Sequence, residues 1–316
     1  MVISNPLSRQ TCRRRGFCAG VTRAIDTVKR ALELFGAPIY VYHEIVHNPH
    51  VVKSLEAEGA VFVERIEAVP EAARVIFSAH GVGQTIEASA TRQHQHIIDA
   101  TCPLVSKVHA QGQRYAADGR TVVLIGHAGH QEVIGTLDRI NGPVRLIQSV
   151  ADVERLDLLQ DHPLAYITQT TLSVDDSRQI INALEQRFTN LVGPDISGIC
   201  YATQNRQTAV RELCKQVDLV LVVGATNSSN CRRLQEIAIS EGLPSHLLAD
   251  GSELDFEWLH GAQVIGLTAG ASTPKTSVDD VLDKLRKFSP IDISTMPGRR
   301  ENAIFSLPAE LENPRK

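Results

Sequence analysis

Aromatic residues make up only 4% of this 316-residue chain, and its formal net charge is −4. With few stacking platforms and no basic field, it is a poor partner for nucleic acid. No apolar run reaches the roughly 18–20 residues that a bilayer-spanning helix needs, which excludes a membrane-spanning role. A Walker loop and a GxGxxG fingerprint are both missing, so nucleotide binding has no support. Arg9, Arg13, Arg14 and Arg15 hint at a twin-arginine export signal, but the following GFCAGVTR is interrupted by Arg23 before an apolar segment forms. A cytoplasmic location is expected. There the six cysteines stay reduced and are not a disulfide framework, so metal ligation or catalysis becomes the competing explanation for some of them.

What the chain does have is one design used three times. Cys18 in RGFCAGVTR, Cys102 in DATCPLVSK and Cys200 in GICYATQNR each open a candidate helix, with a basic residue, Arg23, Lys107 or Arg206, about one and a half turns further on. The middle copy is the clearest, because Ile97-Ile98 leads in as a short strand and Pro103 suits the first position of a helix. The cysteines are separated by 84 and then 98 residues, a long-period internal repeat.

After Cys18, periodicity predicts a helix over 21–34, a strand over 38–42, the loop HEIVHN, a helix near 49–58, a strand over 74–77, the loop SAHG and a helix near 84–93. The order returns after Cys102, with a helix over 103–117, a strand over 121–126, the loop HAGHQE, a helix from Val133, a strand over 164–167, the loop TQTTLS and a helix over 175–188. It returns after Cys200, with a helix to about 216, a strand over 218–224, ATNSSN, a helix to about 241, a strand over 264–267, TAGASTP and a helix over 276–287. Strands alternating with helices imply right-handed crossovers and mostly parallel sheets. The expected α/β architecture is therefore three similar units, residues 1–101, 102–199 and 200–289, with an arm over 290–316 holding a possible strand at Ala303–Ser306. Packed around a pseudo-threefold axis, the units would bring six polar loops and the three cysteines to one central cavity.

Three converging thiolates without a fourth suit an iron–sulfur cluster with one open iron; the plain alternative is that all are ordinary buried thiols. Cys214 reads as core, and Cys231 as core or site wall. Among twelve histidines, His43, His47, His80, His127 and His130 lie in strand-end loops, whereas His109 and six others read as surface or capping residues. Histidines three apart in GHAGHQE also raise zinc, but the stretch leaves a strand for a loop, unlike a helical HExxH. The hydroxyl- and amide-rich loops TQTTLS, ATNSSN and TAGAST are explained either by helix capping or by a small diphosphate held at helix N-termini.

Taken together, RGFCAGV, HEIVHN, FSAHGV, DATCPLVSKVH, GHAGHQEVIGT, TQTTLSVDD, CYATQNRQ, NSSN and TAGAST resemble, in this order, the LytB family of 4-hydroxy-3-methylbut-2-enyl diphosphate reductases. The resemblance implies a [4Fe-4S] cluster held by Cys18, Cys102 and Cys200, whose open iron takes the substrate hydroxyl. It implies a diphosphate site at His47, His80, His130, Ser228, Ser229, Asn230 and Ser272. Glu132 matches the proton donor and Thr170 lies beside the substrate hydroxyl, completing with His130 a catalytic set. Reductive removal of that hydroxyl would give isopentenyl and dimethylallyl diphosphates, with reduced ferredoxin or flavodoxin as the implied electron donor. The chain departs from the family pattern at Gln131, where proline is usual, at Cys231, where serine is usual, and at Leu7–Arg14, which looks inserted. Cys12, inside that insertion, is expected not to be a ligand. A competing class is an iron–sulfur sensor without turnover, which would need neither Glu132 nor the diphosphate loops.

Overall fold

The computed structural model describes residues 2–4, 16–93, 96–194, 199–298 and 301–312; Cys12 and Leu7–Arg14 lie outside them. Strand β1 (Val2–Ser4) opens the chain. A four-stranded sheet follows from β2 (Ile39–Tyr42), β3 (Ala60–Val63), β4 (Arg74–Phe77) and β5 (His96–Asp99), in the order β3-β2-β4-β5. A second is made by β6 (Thr121–Ile125), β7 (Val144–Ile147), β8 (Leu164–Thr168) and β9 (Leu191–Val192), in the order β7-β6-β8-β9. Both are parallel throughout. The third contains β10 (Leu219–Val223), β11 (Ser245–Leu248), β12 (Val264–Ala269) and β13 (Asp292–Ser294), ordered β11-β10-β12-β1-β13. Its first three strands are parallel, and β1 is antiparallel to both its neighbours.

The strand order thus repeats, with the second strand of each set at the edge beside the first. Two compact units result, one comprising Met1–Cys18, His47–Val51 and Tyr201–Ile304, the other Ala19–Val46, Val52–Cys200 and Phe305–Lys316. The first two sheets lie in the latter and the third in the former. The expected boundary at residue 101 assigns the N-terminus to the first sheet, whereas β1 pairs with β12 and β13 of the third. Likewise, Ala303–Ser306 is not a strand; its Ile304 is 91% exposed, and among the described residues the arm's regular structure is β13 and the short helix at Ala309–Glu312.

The central strands are apolar without alternation because both their faces are covered. In β6 and β8, Val123, Ile125 and Tyr166 pack with Ile180, Ile181 and Leu184 of the helix Val174–Arg187. Val122, Leu124, Ala165 and Ile167 face the opposite way, toward Val108, Tyr115 and Val133 of the helices Pro103–Ala117 and Gln131–Arg139. In β10, Leu219, Leu221 and Val223 meet Val278, Val281 and Leu285, while Val220 and Val222 meet Val210 and Leu234. Each such side chain contributes about 1.5–3 kcal/mol by burial. The helices are numbered α1 (Ala19–Phe35), α2 (Pro49–Ala57), α3 (Gln84–Arg92), α4 (Pro103–Ala117), α5 (Gln131–Arg139), α6 (Val150–Glu154), α7 (Val174–Arg187), α8 (Tyr201–Cys214), α9 (Ser229–Ser240), α10 (Lys275–Phe288) and α11 (Ala309–Glu312). Among the described residues, none is long and apolar enough to cross a membrane.

Candidate active site

Parallel strands deliver their following loops to one edge, where the next helices present unpaired N–H groups. In the unit built on the first two sheets, the loop after β4 carries His80 and the loop after β6 carries His130. Their rings are 6.0 Å apart, edge to face. Several contacts fix this pair. Gly81 takes φ +75°, a left-handed turn that glycine adopts without cost. The C-terminal turn of α5 holds the segment that follows: Asp138 accepts from the Thr85 N–H and hydroxyl, both at 2.8 Å, and Arg139 donates to the Val82 carbonyl and pairs with Glu87. The N-terminal end of the same helix is capped by His130, whose Nδ1 accepts from the Glu132 N–H at 3.2 Å. That contact makes Nδ1 the acceptor and leaves Nε2 as the donor of the neutral ring. Gln131 fills the first helical position without disturbing the cap.

Glu132 is 2% exposed. Its Oε1 accepts from the Thr170 N–H at 2.7 Å and its Oε2 from the Thr170 hydroxyl at 2.8 Å. Burial raises its pKa from the ordinary 4.5 to about 7, against the opposing pull of these two hydrogen bonds. A carboxyl group in this state holds or releases a proton near neutrality, and the Thr170 hydroxyl is able to donate to the carboxylate or accept from the acid. Gln169 braces the loop, accepting from the His127 N–H and donating to the Thr171 hydroxyl, both at 2.9 Å.

Cys102 is the N-cap of α4, with no side-chain capping bond of its own; its N–H donates to the Ala79 carbonyl at 3.0 Å. Cys200 immediately precedes α8; both cysteines are half-buried and neither is in a disulfide. His109 corrects a sequence expectation. Rather than a surface or capping residue, it is buried on α4 against Gly81, and burial with the nearby Arg139 charge lowers its pKa to about 4. This burial comes from the turn at Gly81 packing onto α4, which periodicity alone does not reveal.

In the other unit, Ser228 caps and Ser229 and Asn230 open the helix α9 after β10, and the loop after β12 carries Ser272; all four are buried. The Ser228 cap, made through the Cys231 N–H, is what a serine does in any protein. The Ser272 hydroxyl donates to the His47 carbonyl at 3.1 Å, fixing the HEIVHN segment, while Asn48 caps α2 through the Val51 N–H. The half-buried thiol of Cys18 precedes α1, and its N–H donates to the Ala271 carbonyl at 3.1 Å. His43, at the head of the same polar loop, pairs instead with Glu64.

Asn230 is 5% exposed, yet both atoms of its amide lack a hydrogen-bond partner in the protein. A buried amide left so costs about 1–3 kcal/mol, which points to a ligand that completes it. Asn230→Leu, similar in volume but unable to hydrogen-bond, is expected to raise KM at least tenfold while leaving the melting temperature of the substrate-free protein unchanged or higher. An unchanged KM removes Asn230 from the binding site.

Cys231 resolves to core. Its sulfur, fully buried, fills a slot where a Cβ on Gly224 or Gly270 would lie 2.3 or 2.2 Å away. Gly270→Ala is therefore expected to destabilise the fold by about 1–3 kcal/mol, with Cys231→Ala relieving much of that in the double variant. Strict additivity in denaturant unfolding would show that the sulfur is not the obstacle. Cys214 packs partly into the same core, and burial raises its pKa to about 11.

Among the described residues, no three His, Cys, Asp or Glu side chains gather to hold a single metal ion, the arrangement zinc would require. A four-iron cluster differs, because each thiolate binds its own iron. The chemistry of the three cysteines suits that group: none is in a disulfide and each lies half-buried just before a helix, whereas burial raises the pKa of the core thiols Cys214 and Cys231.

A family model described as LytB protein matches residues 10–286. The 4-hydroxy-3-methylbut-2-enyl diphosphate reductase 2 of Bradyrhizobium diazoefficiens is 59% identical over 94% of this chain and 96% of its own. The 4-hydroxy-3-methylbut-2-enyl diphosphate reductase of Burkholderia pseudomallei is 59% identical over 94% and 95%. The solved structure of the E-1-hydroxy-2-methyl-but-2-enyl-4-diphosphate reductase from Plasmodium falciparum superposes with a TM-score of 0.92 at 39% identity, covering 96% of each chain.

Proposed function

The chain belongs to the LytB family, and we propose that it carries out the reductive dehydroxylation of 4-hydroxy-3-methylbut-2-enyl diphosphate to isopentenyl and dimethylallyl diphosphates. The reaction takes two electrons and two protons; the C–O bond breaks, the oxygen leaves as water, and a new C–H bond forms on the allylic skeleton. The observation that carries this reading is the buried, protonatable Glu132 locked to Thr170 beside His130 and His80.

Cys18, Cys102 and Cys200 are assigned as the ligands of a [4Fe-4S] cluster. When bound, such a cluster supplies electrons and an open Lewis-acid position for the substrate hydroxyl. The protein's part is binding and proton management. His47, His80, His130, Ser228, Ser229, Asn230 and Ser272 hold the diphosphate through hydrogen-bond donors, so the allylic end stays oriented. Glu132 supplies the proton that turns the departing hydroxide into water, and the Thr170 hydroxyl, which is able to reverse its hydrogen bond, connects the carboxyl group to the substrate oxygen. Reduced ferredoxin or flavodoxin is assigned as electron donor. The lack of disulfides among the described cysteines suits a reducing compartment, and a cytoplasmic location belongs to the same proposal.

Anaerobic purification, cluster reconstitution, iron and sulfide analysis and a turnover assay with a reduced dye test this reading together. The expected result is about four irons per chain and dye-dependent consumption of the allylic diphosphate. A folded protein that stays colourless and iron-free after reconstitution would overturn it.

A further inference from the structure

The basic residue that follows each cysteine has no part in the chemistry above, yet two of the three make unusual contacts. Arg23, five residues after Cys18, spends its guanidinium on main-chain carbonyls. Nη1 donates to Thr101 at 3.0 Å, Nη2 to Asp99 at 3.3 Å and Nε to Ser306 at 2.7 Å. The Thr101 carbonyl belongs to the peptide bond joined to Cys102. The other side of that bond is also held, since the Cys102 N–H donates to Ala79 and the Thr101 N–H donates to the Asp99 carboxylate. Arg206, six residues after Cys200, donates to the Gly16 carbonyl at 3.1 Å, two residues before Cys18, and to Ala202. Lys107 of the middle copy is exposed.

Both arginines meet the C-terminal arm. Glu301 lies 3.7 Å from Arg206, accepts from the Asn205 amide at 3.2 Å, and shares the arginine's near-burial. Five residues on, the Ser306 carbonyl takes the Nε donor of Arg23. A guanidinium presents its donors in a rigid fork, so fixing one edge fixes the others. A nearly buried arginine also needs its carboxylate, because removing one partner of such a pair leaves an uncompensated charge.

We propose that the arm is a clasp: residues 301–306 hold Arg23 and Arg206 in the orientations that seat the backbone carrying Cys102 and Cys18. The two arginines are positioning residues, and the arm acts through them. The inference rests on the assignment of these cysteines as cluster ligands, but the contacts themselves are independent of it.

Alkylation of the iron-free full-length chain by iodoacetamide, followed by peptide mass spectrometry, reads each thiol separately. Glu301→Gln is expected to speed labelling of Cys18 about tenfold, and Arg23→Lys that of Cys102 about tenfold. Cys200 and Cys214 should change less than twofold in either variant. A chain ending at Gly298 should speed labelling of Cys18 and Cys102 together; because it also loses the buried Leu311, circular dichroism must show it folded before it is compared, and the two point variants decide the matter if it is not. A uniform rise at every cysteine, or no change at Cys18 and Cys102, overturns the clasp. Separately, failure of the wild type to take up iron while the selective labelling pattern holds would sink the cluster assignment and leave the clasp standing.

Discussion

Glu132→Gln is expected to bind the diphosphate with near-normal affinity and to turn it over about 10²–10⁴-fold more slowly, the range over which a positioned general acid contributes. Glutamine keeps the shape, and its amide still meets the Thr170 N–H and hydroxyl, but it has no carboxyl proton to give. The wild-type pH profile carries the same signature. An acid with a pKa of about 7 is competent below that pH, so kcat should fall tenfold per pH unit above it. Stability moves in the same window. The folded protein holds this proton more tightly than the unfolded chain, whose pKa is near 4.5; the associated stability is whole below 4.5 and lost as pH rises through about 7. The loss is on the order of 3 kcal/mol. Glu132→Gln should therefore melt with the wild type at pH 4.5 and above it at pH 8. Near-normal turnover would remove Glu132 from the mechanism, and identical melting at both values would contradict the raised pKa.

Replacing Cys18, Cys102 or Cys200 by serine should abolish most cluster content and activity, because a serine hydroxyl is a harder and far less acidic donor than a thiol. Cys214→Ser should leave both largely intact. Iron analysis and the visible spectrum after identical reconstitution make the comparison. Equal iron loss in Cys214→Ser and Cys102→Ser would mean that the assay reports general instability, and the ligand assignment would lose its support.

Much of this was legible in the residues because the repeat makes each copy evidence for the others. The helices after each cysteine and the buried strands β6, β8 and β10 follow from unbroken apolar runs and helical spacing, and they sit within a residue or two of expectation. The strands β3, β7 and β11 escaped notice. Each is a four-residue sheet edge; polar residues interrupt Val-Arg-Leu-Ile of β7 and open Ser-His-Leu-Leu of β11, while Ala-Val-Phe-Val of β3 is apolar but too short to stand out. Glu132 stood out by position, but its near-neutral pKa is a property of burial that no local pattern carries. The partners of Arg23 and Arg206 lie up to 283 residues away along the chain, beyond the reach of any spacing argument.

The pairing of β1 with β12 and β13 has a consequence for how the molecule is made. Val2 is synthesised more than 260 residues before its partners Gly266 and Ser294. At about 5–20 residues per second, the opening segment waits roughly 15–50 s for them, long enough for the two four-stranded sheets to form. The third sheet is then completed only after the last strand emerges. Until β12 and β13 emerge, the backbone groups of β1 lack the partners that these strands supply in the native sheet.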